Sequence, residues 1–442
     1  MEREEILRVL LDWNFWKKDL DCGIEREEYI KKAFSFLEAN MIVSIIGVRR
    51  SGKSMLMKQI AKKLMEKGIA NKNEILIINF EDKRIVGNNS ELIDEFFNTY
   101  IQEMKPTKKP ILFLDEIHRI AGWEKWTRTY HELNKAKIFV SGSTSQLMKG
   151  ELASLLAGRH LDIVVFPLSF KEFIKFKNLQ IKDKLDAIAK ENEIKALLRE
   201  YLRFGGFPEV ALAKDEEVKK SILLTYFDDI ISKDVAERYK IREAEKLKTL
   251  AKFYLSNISS SITFSSLEDL VNINSVTIER FSSFLEEAFL IFFTKIFHPS
   301  VKKQEKVARK VYSIDVGLSN VVGFRLEESI GKLMENIVAI ELKRRDPFSQ
   351  FYYWKEYGKA EGDEVDFVIR ENFTTKQLIQ VTYASSKEKV EKREIEALIK
   401  ASEALECNNL LVITWDYEDE VKIGNKKIKF LPLWMWLLDL KF

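Results

Sequence analysis

The chain has 442 residues, 46% of them hydrophobic, and its 72 basic and 69 acidic side chains leave a net charge of +3. That length and apolar content suit two to four domains, and so small a net charge excludes a polycation, so any nucleic-acid surface must be local. Two isolated cysteines, Cys22 and Cys407, exclude a disulfide framework or a zinc site; with no signal-peptide pattern at MEREEILRVL and too short an apolar run in LPLWMWLLDLKF to span a bilayer, the expectation is a cytoplasmic chain with no membrane contact.

In chain order, residues 1–40 read as helical, with the polar-aromatic stretch DWNFWKKDL at 12–20. Five strand-like apolar runs follow: MIVSII at 41–46, ILIINF at 75–80, ILFLDE at 111–116, KIFVSG at 137–142 and DIVVFP at 162–167. Helical patterns separate them, which predicts an α/β fold with a parallel sheet covered on both faces. Helical periodicity then dominates to about residue 235, broken by the turn FGGFP at 204–208. Residues 240–325 read as a small helical domain that ends in strands. Residues 326–442 return to α/β: a helix GKLMENIVAIELKRR, strands FYYWKEY, EVDFVIR and LIQVTYA, a charged helix from Ser385 to about Ala404, and a strand LLVITW. The expected division is 1–167, 168–239, 240–325 and 326–442.

The strongest chemical signal follows the first strand. Gly47, Gly52, Lys53 and Ser54 fit G-x-x-x-x-G-K-[ST] between a strand and a helix, the setting in which this spacing cradles phosphates. Backbone N–H groups of Gly47, Val48, Arg49, Arg50, Ser51, Gly52, Lys53, Ser54 and Met55 would converge on a triphosphate at the helix N-terminus. Lys53 would reach the β- and γ-phosphates, and Ser54 would ligate Mg²⁺. The expected cofactors are therefore ATP and Mg²⁺. ILFLDE supplies the acids: Asp115 for the metal and Glu116 as the base that polarises water. At the end of KIFVSG, Ser141 or Ser143 would sense the γ-phosphate or orient the water, with Ser143 preferred. Arg159, in SLLAGRH, would neutralise transition-state charge in cis or from a neighbouring subunit.

Taken together, GVRRSGKS, ILFLDEIH, FVSGSTSQLM, LAGRH, FPLSFKEF and YLRFGGFPEV resemble the archaeal and bacterial AAA-type P-loop ATPases that carry a C-terminal domain of unknown function. The likeness spans nearly the whole chain. It implies an ATPase core, a helical lid at 168–239, a winged-helix segment at 240–325 and a PD-(D/E)xK nuclease-like domain at 326–442.

Residues 266–290 read as a helix, a turn at Asn272–Ser275 and a second helix whose buried stripe is Ile278, Phe281, Leu285 and Ala288. A wing would bring Lys302, Lys303, Lys306, Arg309 and Lys310 to phosphates. In the last domain the nuclease-like resemblance implies a metal site from Glu335 and Asp366. Gln380 stands where a second acid belongs and Thr382 where the lysine belongs, so the resemblance implies a degenerate site. The leading expectation is a Mg²⁺-dependent ATPase acting on or near DNA through non-specific backbone contacts, as a homo-oligomer or with a protein partner. The alternatives are a slow ATP-dependent switch or scaffold, and an active metal-dependent nuclease driven by an ATPase motor.

Overall fold

In the computed structural model, which describes residues 1–142, 156, 158–324, 329–348, 350–356 and 362–440, the chain packs as two compact units, Met1–Phe166 and Pro167–Phe442. The second unit holds the segments that the sequence divides at 240 and 326.

The first unit is built on five strands, β1 (Ile42–Ile46), β2 (Ile75–Asn79), β3 (Ile111–Asp115), β4 (Lys137–Gly142) and β5 (His160–Val164), in the order β2-β3-β4-β1-β5. Every pairing is parallel. All five residues of β1 and of β3 are buried, as expected for strands covered on both faces. Phe113 and Phe139 stack at 4.7 Å between centroids across β3 and β4. Helices α1 (Arg3–Trp13), α2 (Glu27–Glu38), α3 (Lys53–Glu66), α4 (Ser90–Met104) and α5 (Trp123–Glu132) belong to this unit. In α2 the buried residues Ile30, Ala33 and Leu37 recur at helical spacing, and the helix packs on α3, β1 and β5.

The polar-aromatic stretch between α1 and α2 closes an open sheet edge. Strand β2 lies at the edge, where unpaired backbone groups invite pairing with another chain. Asn14, fully buried, supplies that pairing with its side chain: its Nδ2 donates to Ile77 O at 2.9 Å, and its Oδ1 accepts from Ile77 N at 2.7 Å. Trp16 Nε1 donates to Ile75 O at 3.0 Å, one strand repeat away.

The second unit contains a three-stranded antiparallel sheet, β6 (Ser260–Ile262), β7 (Ile291–Thr294) and β8 (Arg309–Ser313), with β8 central. Ahead of β7, helix Ser275–Glu287 buries Ile278, Phe281 and Leu285. Where the sequence suggested a basic wing, residues Val301–Lys306 form a short helix and Lys310 is buried. A six-stranded mixed sheet follows, β9 (Phe351–Lys355), β10 (Glu364–Glu371), β11 (Thr374–Val381), β12 (Leu410–Thr414), β13 (Asp419–Ile423) and β14 (Lys426–Pro432), in the order β13-β14-β12-β11-β10-β9. The β13–β14 hairpin has no counterpart in the sequence reading. The apolar C-terminal run is a buried helix, Leu433–Leu437.

One carboxylate holds the FGGFP turn and requires its first glycine. Asp315 accepts from Gly206 N at 2.6 Å and from Gly317 N at 2.9 Å. A Cβ on Gly205 would lie 1.9 Å from Asp315 Oδ1. Burial pushes the Asp315 carboxyl up to about 6.

The edge closure by Asn14 yields a direct prediction. Asn14→Ala leaves the Ile77 N–H and C=O buried and unpaired, so the first unit should lose about 2 kcal/mol or more. Urea unfolding reads this as a lower midpoint; an unchanged midpoint would mean that the edge is held by something else.

Candidate functional site

The site forms where β1, β3 and β4 end at the same rim of the sheet, the rim at which parallel α/β sheets bind ligands. Strand β1 runs into Gly47, the chain turns through residues 48–52, and α3 begins at Lys53. The turn needs unusual backbone. Gly47 has φ +145°, Arg50 +67° and Gly52 +96°. A Cβ on Gly47 would come within 2.1 Å of Val165 O, so no larger residue fits there.

Side chains grip the carbonyls of this loop. Lys53 Nζ donates to Gly47 O at 2.9 Å and to Val48 O at 3.1 Å, with the lysine 5% exposed. Arg26 lies outside the motif, at the start of α2, and is equally buried. Its Nη1 donates to Ser51 O at 2.9 Å and its Nη2 to Phe166 O at 3.0 Å. Its backbone N–H is accepted by Gln59 Oε1 at 3.1 Å, and its guanidinium lies 4.5 Å from the Tyr29 ring centroid. No feature of IEREEYI distinguishes Arg26 from a solvated helix-end charge, which is why the sequence reading missed it.

The acids lie across β4 from β1. Asp115 ends β3 and is buried. Ser141, on the intervening β4, donates its hydroxyl to Asp115 Oδ1 and accepts from Glu116 N at 3.0 Å. That hydroxyl is thus committed to orienting the acid pair. Burial and the neighbouring Glu116 push the Asp115 carboxyl up; hydrogen bonds from Ser141 and Ser54, and the Lys53 ammonium, pull against that shift. Lys53, Ser54 and Asp115 therefore share one electrostatic site. Glu116 takes a left-handed backbone, φ 53° and ψ 39°, and its Oε2 lies 3.5 Å from His118 Nδ1.

The donor set fits a nucleotide and its metal. Within the loop, the buried Ser51 Oγ has no hydrogen-bond partner among the described residues, and the approach at Gly47 leaves backbone where a side chain would block it. Ser54 and Asp115 offer a hydroxyl and a carboxylate, the oxygen donors that a hard divalent cation takes.

The remaining predicted residues sit elsewhere. Arg49 lies 3.7 Å from Glu81, which also pairs with Arg119 at 2.9 Å; Arg50 is exposed. Ser143 lies outside the described residues. Arg159 precedes β5, and its carbonyl accepts from Ile42 N at 3.0 Å. It therefore stands at the rim where β1 begins, opposite the phosphate loop, and pairs with Glu132 at 3.0 Å. The four residues of β1 rise between those rims amount to roughly 13 Å, which removes Arg159 from its own chain's loop.

In the second unit Glu335, Asp366 and Gln380 converge, but not as a metal site. Lys310 Nζ lies among the acids, and Gln380 Oε1 accepts from Asp366 N at 3.3 Å. Thr382 is buried nearby in sequence, beyond the end of β11. Among the described residues no group of three or more His, Cys, Asp or Glu side chains is arranged to hold a metal ion. No helix among them is long and apolar enough to cross a membrane, and both cysteines are buried and free.

A family model described as an AAA domain matches residues 39–174. Two others, described as domains of unknown function (DUF8612 and DUF4143), match residues 195–328 and 330–436. An uncharacterized protein of Methanocaldococcus jannaschii is 34% identical over 411 residues, covering 90% of this chain and 88% of its own. An uncharacterized protein of Haemophilus influenzae is 33% identical over 354 residues, covering 78% and 84%. Among solved structures, the Walker-type ATPase PABY2304 of Pyrococcus abyssi aligns with a TM-score of 0.45 at 16% identity, over 70% of this chain and 99% of that one.

The grip of Arg26 on the loop is open to test. Arg26→Met leaves the Ser51 and Phe166 carbonyls without their donor and should destabilise the first unit by roughly 2–4 kcal/mol. Arg26→Lys should recover only part of this, since an ammonium lacks the fork that spans both carbonyls. Equal unfolding midpoints for all three proteins would contradict the assignment.

Proposed function

The chain belongs to the family of the Methanocaldococcus jannaschii and Haemophilus influenzae proteins and carries an AAA domain, and from that premise we propose that it is a Mg²⁺-dependent ATPase. The observation that carries the reading is the shared site of Lys53, Ser54 and Asp115 at the end of a glycine-bounded loop whose carbonyls are gripped from behind.

In this reading the loop amides from Gly47 to Met55 bind the phosphates of ATP. The Lys53 ammonium exchanges its two carbonyl partners for phosphate oxygens. Ser54 and Asp115 hold Mg²⁺, which supplies charge neutralisation along the triphosphate. Glu116, held by Ser141 through its backbone and facing His118, takes a proton from water. The water oxygen bonds to the γ-phosphorus as the bond from that phosphorus to the bridging oxygen breaks, leaving ADP and phosphate. Ser143 is assigned to the γ-phosphate or the attacking water. Arg159 is assigned a role in trans, on the nucleotide of a neighbouring copy, because its own loop lies at the other rim.

The second unit is read as a lid, a winged-helix segment and a PD-(D/E)xK nuclease-like domain that has lost activity. Gln380 and Thr382 replace an acid and a lysine, and this supports the loss. DNA contact, if made, is to phosphates: Lys302 and Lys306 are exposed on the short helix before β8, whereas Arg309 pairs with Glu305 at 3.1 Å and Lys310 is buried. Glu286 and Glu287, on the second helix of the winged-helix segment, are engaged internally with Phe293 N and the Tyr239 hydroxyl.

Steady-state ATP turnover tests the enzyme assignment. Lys53→Ala should abolish hydrolysis, and Glu116→Gln should retain nucleotide while turnover falls about 10²–10⁴-fold. Wild-type rates in both variants would overturn it. Stimulation by duplex DNA that fades with added salt would support the phosphate-contact reading.

A further inference from the structure

The second unit buries a cation inside an acidic site. Lys310, on the central strand β8, is 2% exposed. Its Nζ lies 3.0 Å from Glu335 Oε1, 2.9 Å from Asp366 Oδ1 and 2.6 Å from Glu364 Oε1. Glu335 comes from helix Ile330–Arg345, and the other two acids from β10. The β10–β9 register shifts between Val365 and Val368, at the point where these acids stand. An ammonium has three protons to donate, and three carboxylates face it.

Further polar atoms around the ammonium are committed to protein donors. Tyr312 Oη donates to Glu335 Oε1 at 2.8 Å. Asp366 Oδ2 accepts from Val381 N at 3.0 Å. The Gln380 oxygen, the nearest substitute for a missing acid, faces the Asp366 N–H. A divalent metal here would need the oxygens that Lys310 holds, so the residues present do not fit one. The negative charge still exceeds one ammonium. An acid set this crowded requires a cation at its centre.

We propose that Lys310 is an internal cation that fills the acidic site of the C-terminal sheet, keeps divalent metal out of it, and fastens the three-stranded sheet to the six-stranded one. The sequence-level absence of a lysine at Thr382 then has a physical counterpart: a lysine does enter this site, from a different sheet, and it takes the metal's place instead of serving beside it. The device belongs to the second unit and stands whether or not the phosphate loop turns over nucleotide.

Mn²⁺ titration of the full-length protein without nucleotide, read by electron paramagnetic resonance, tests it. Wild type should show no bound Mn²⁺ that Asp366→Asn removes. Lys310→Met, close in size but uncharged, should gain one Mn²⁺ per chain, at least tenfold tighter than wild type, and Lys310→Met/Asp366→Asn should lose it. Binding by wild type that depends on Asp366, or a folded Lys310→Met that binds none, would overturn the proposal. Should Lys310→Met fail to fold, Lys310→Met/Glu335→Gln/Asp366→Asn must regain the fold, because the acids no longer repel one another; failure of that variant also overturns it.

Discussion

The functional rim of the first unit depends on what grips the carbonyls of a loop that carries left-handed residues at Arg50 and Gly52. Lys53 takes those of Gly47 and Val48, and Arg26 takes that of Ser51. With carbonyls of Gly47, Val48 and Ser51 turned inward onto cations, the loop presents the polarity that an anion at a helix N-terminus requires. Arg26 also bonds Phe166 O just after β5, so the loop is tied to the strand on its far side. The same requirement explains Gly47, where a β-carbon would meet the Val165 carbonyl.

Buried cations organise both units, with different partners. In the first, Arg26 and Lys53 meet neutral carbonyls, and for Lys53, which sits within the loop motif, exchange for a charged ligand is favourable once phosphate arrives. In the second, Lys310 meets carboxylates and is already neutralised. A buried ammonium among carbonyls is poised for an anion; one among acids is a lock. This contrast separates the two sites more sharply than the motifs do, since each carries a lysine and acids in a parallel or mixed sheet.

Much of the first unit was legible because its signals are local. Five apolar runs became five parallel strands, and the loop spacing fell between β1 and α3. Asp115 and Glu116 sit at a strand end, as the run ILFLD requires. What escaped the sequence reading depends on partners far along the chain. Asn14 looks like part of a polar stretch until Ile77 lies beside it. Arg26 looks like a helix-end charge until Ser51 and Phe166 bracket it. Ser141 was weighed as a phosphate sensor, but the neighbouring strand's Asp115 claims its hydroxyl. Lys310 was grouped with wing lysines because VKKQEKVARK reads as one basic run, whereas the strand period turns it inward. The β13–β14 hairpin was missed because β13 is nearly all exposed and charged, with no apolar alternation to mark it.

Isothermal titration of ATP with Mg²⁺ into the full-length protein tests the central claim most directly. One saturable site per chain, lost when the Lys53 ammonium is removed, is the result this account predicts. A flat titration at millimolar nucleotide with folded protein would contradict it.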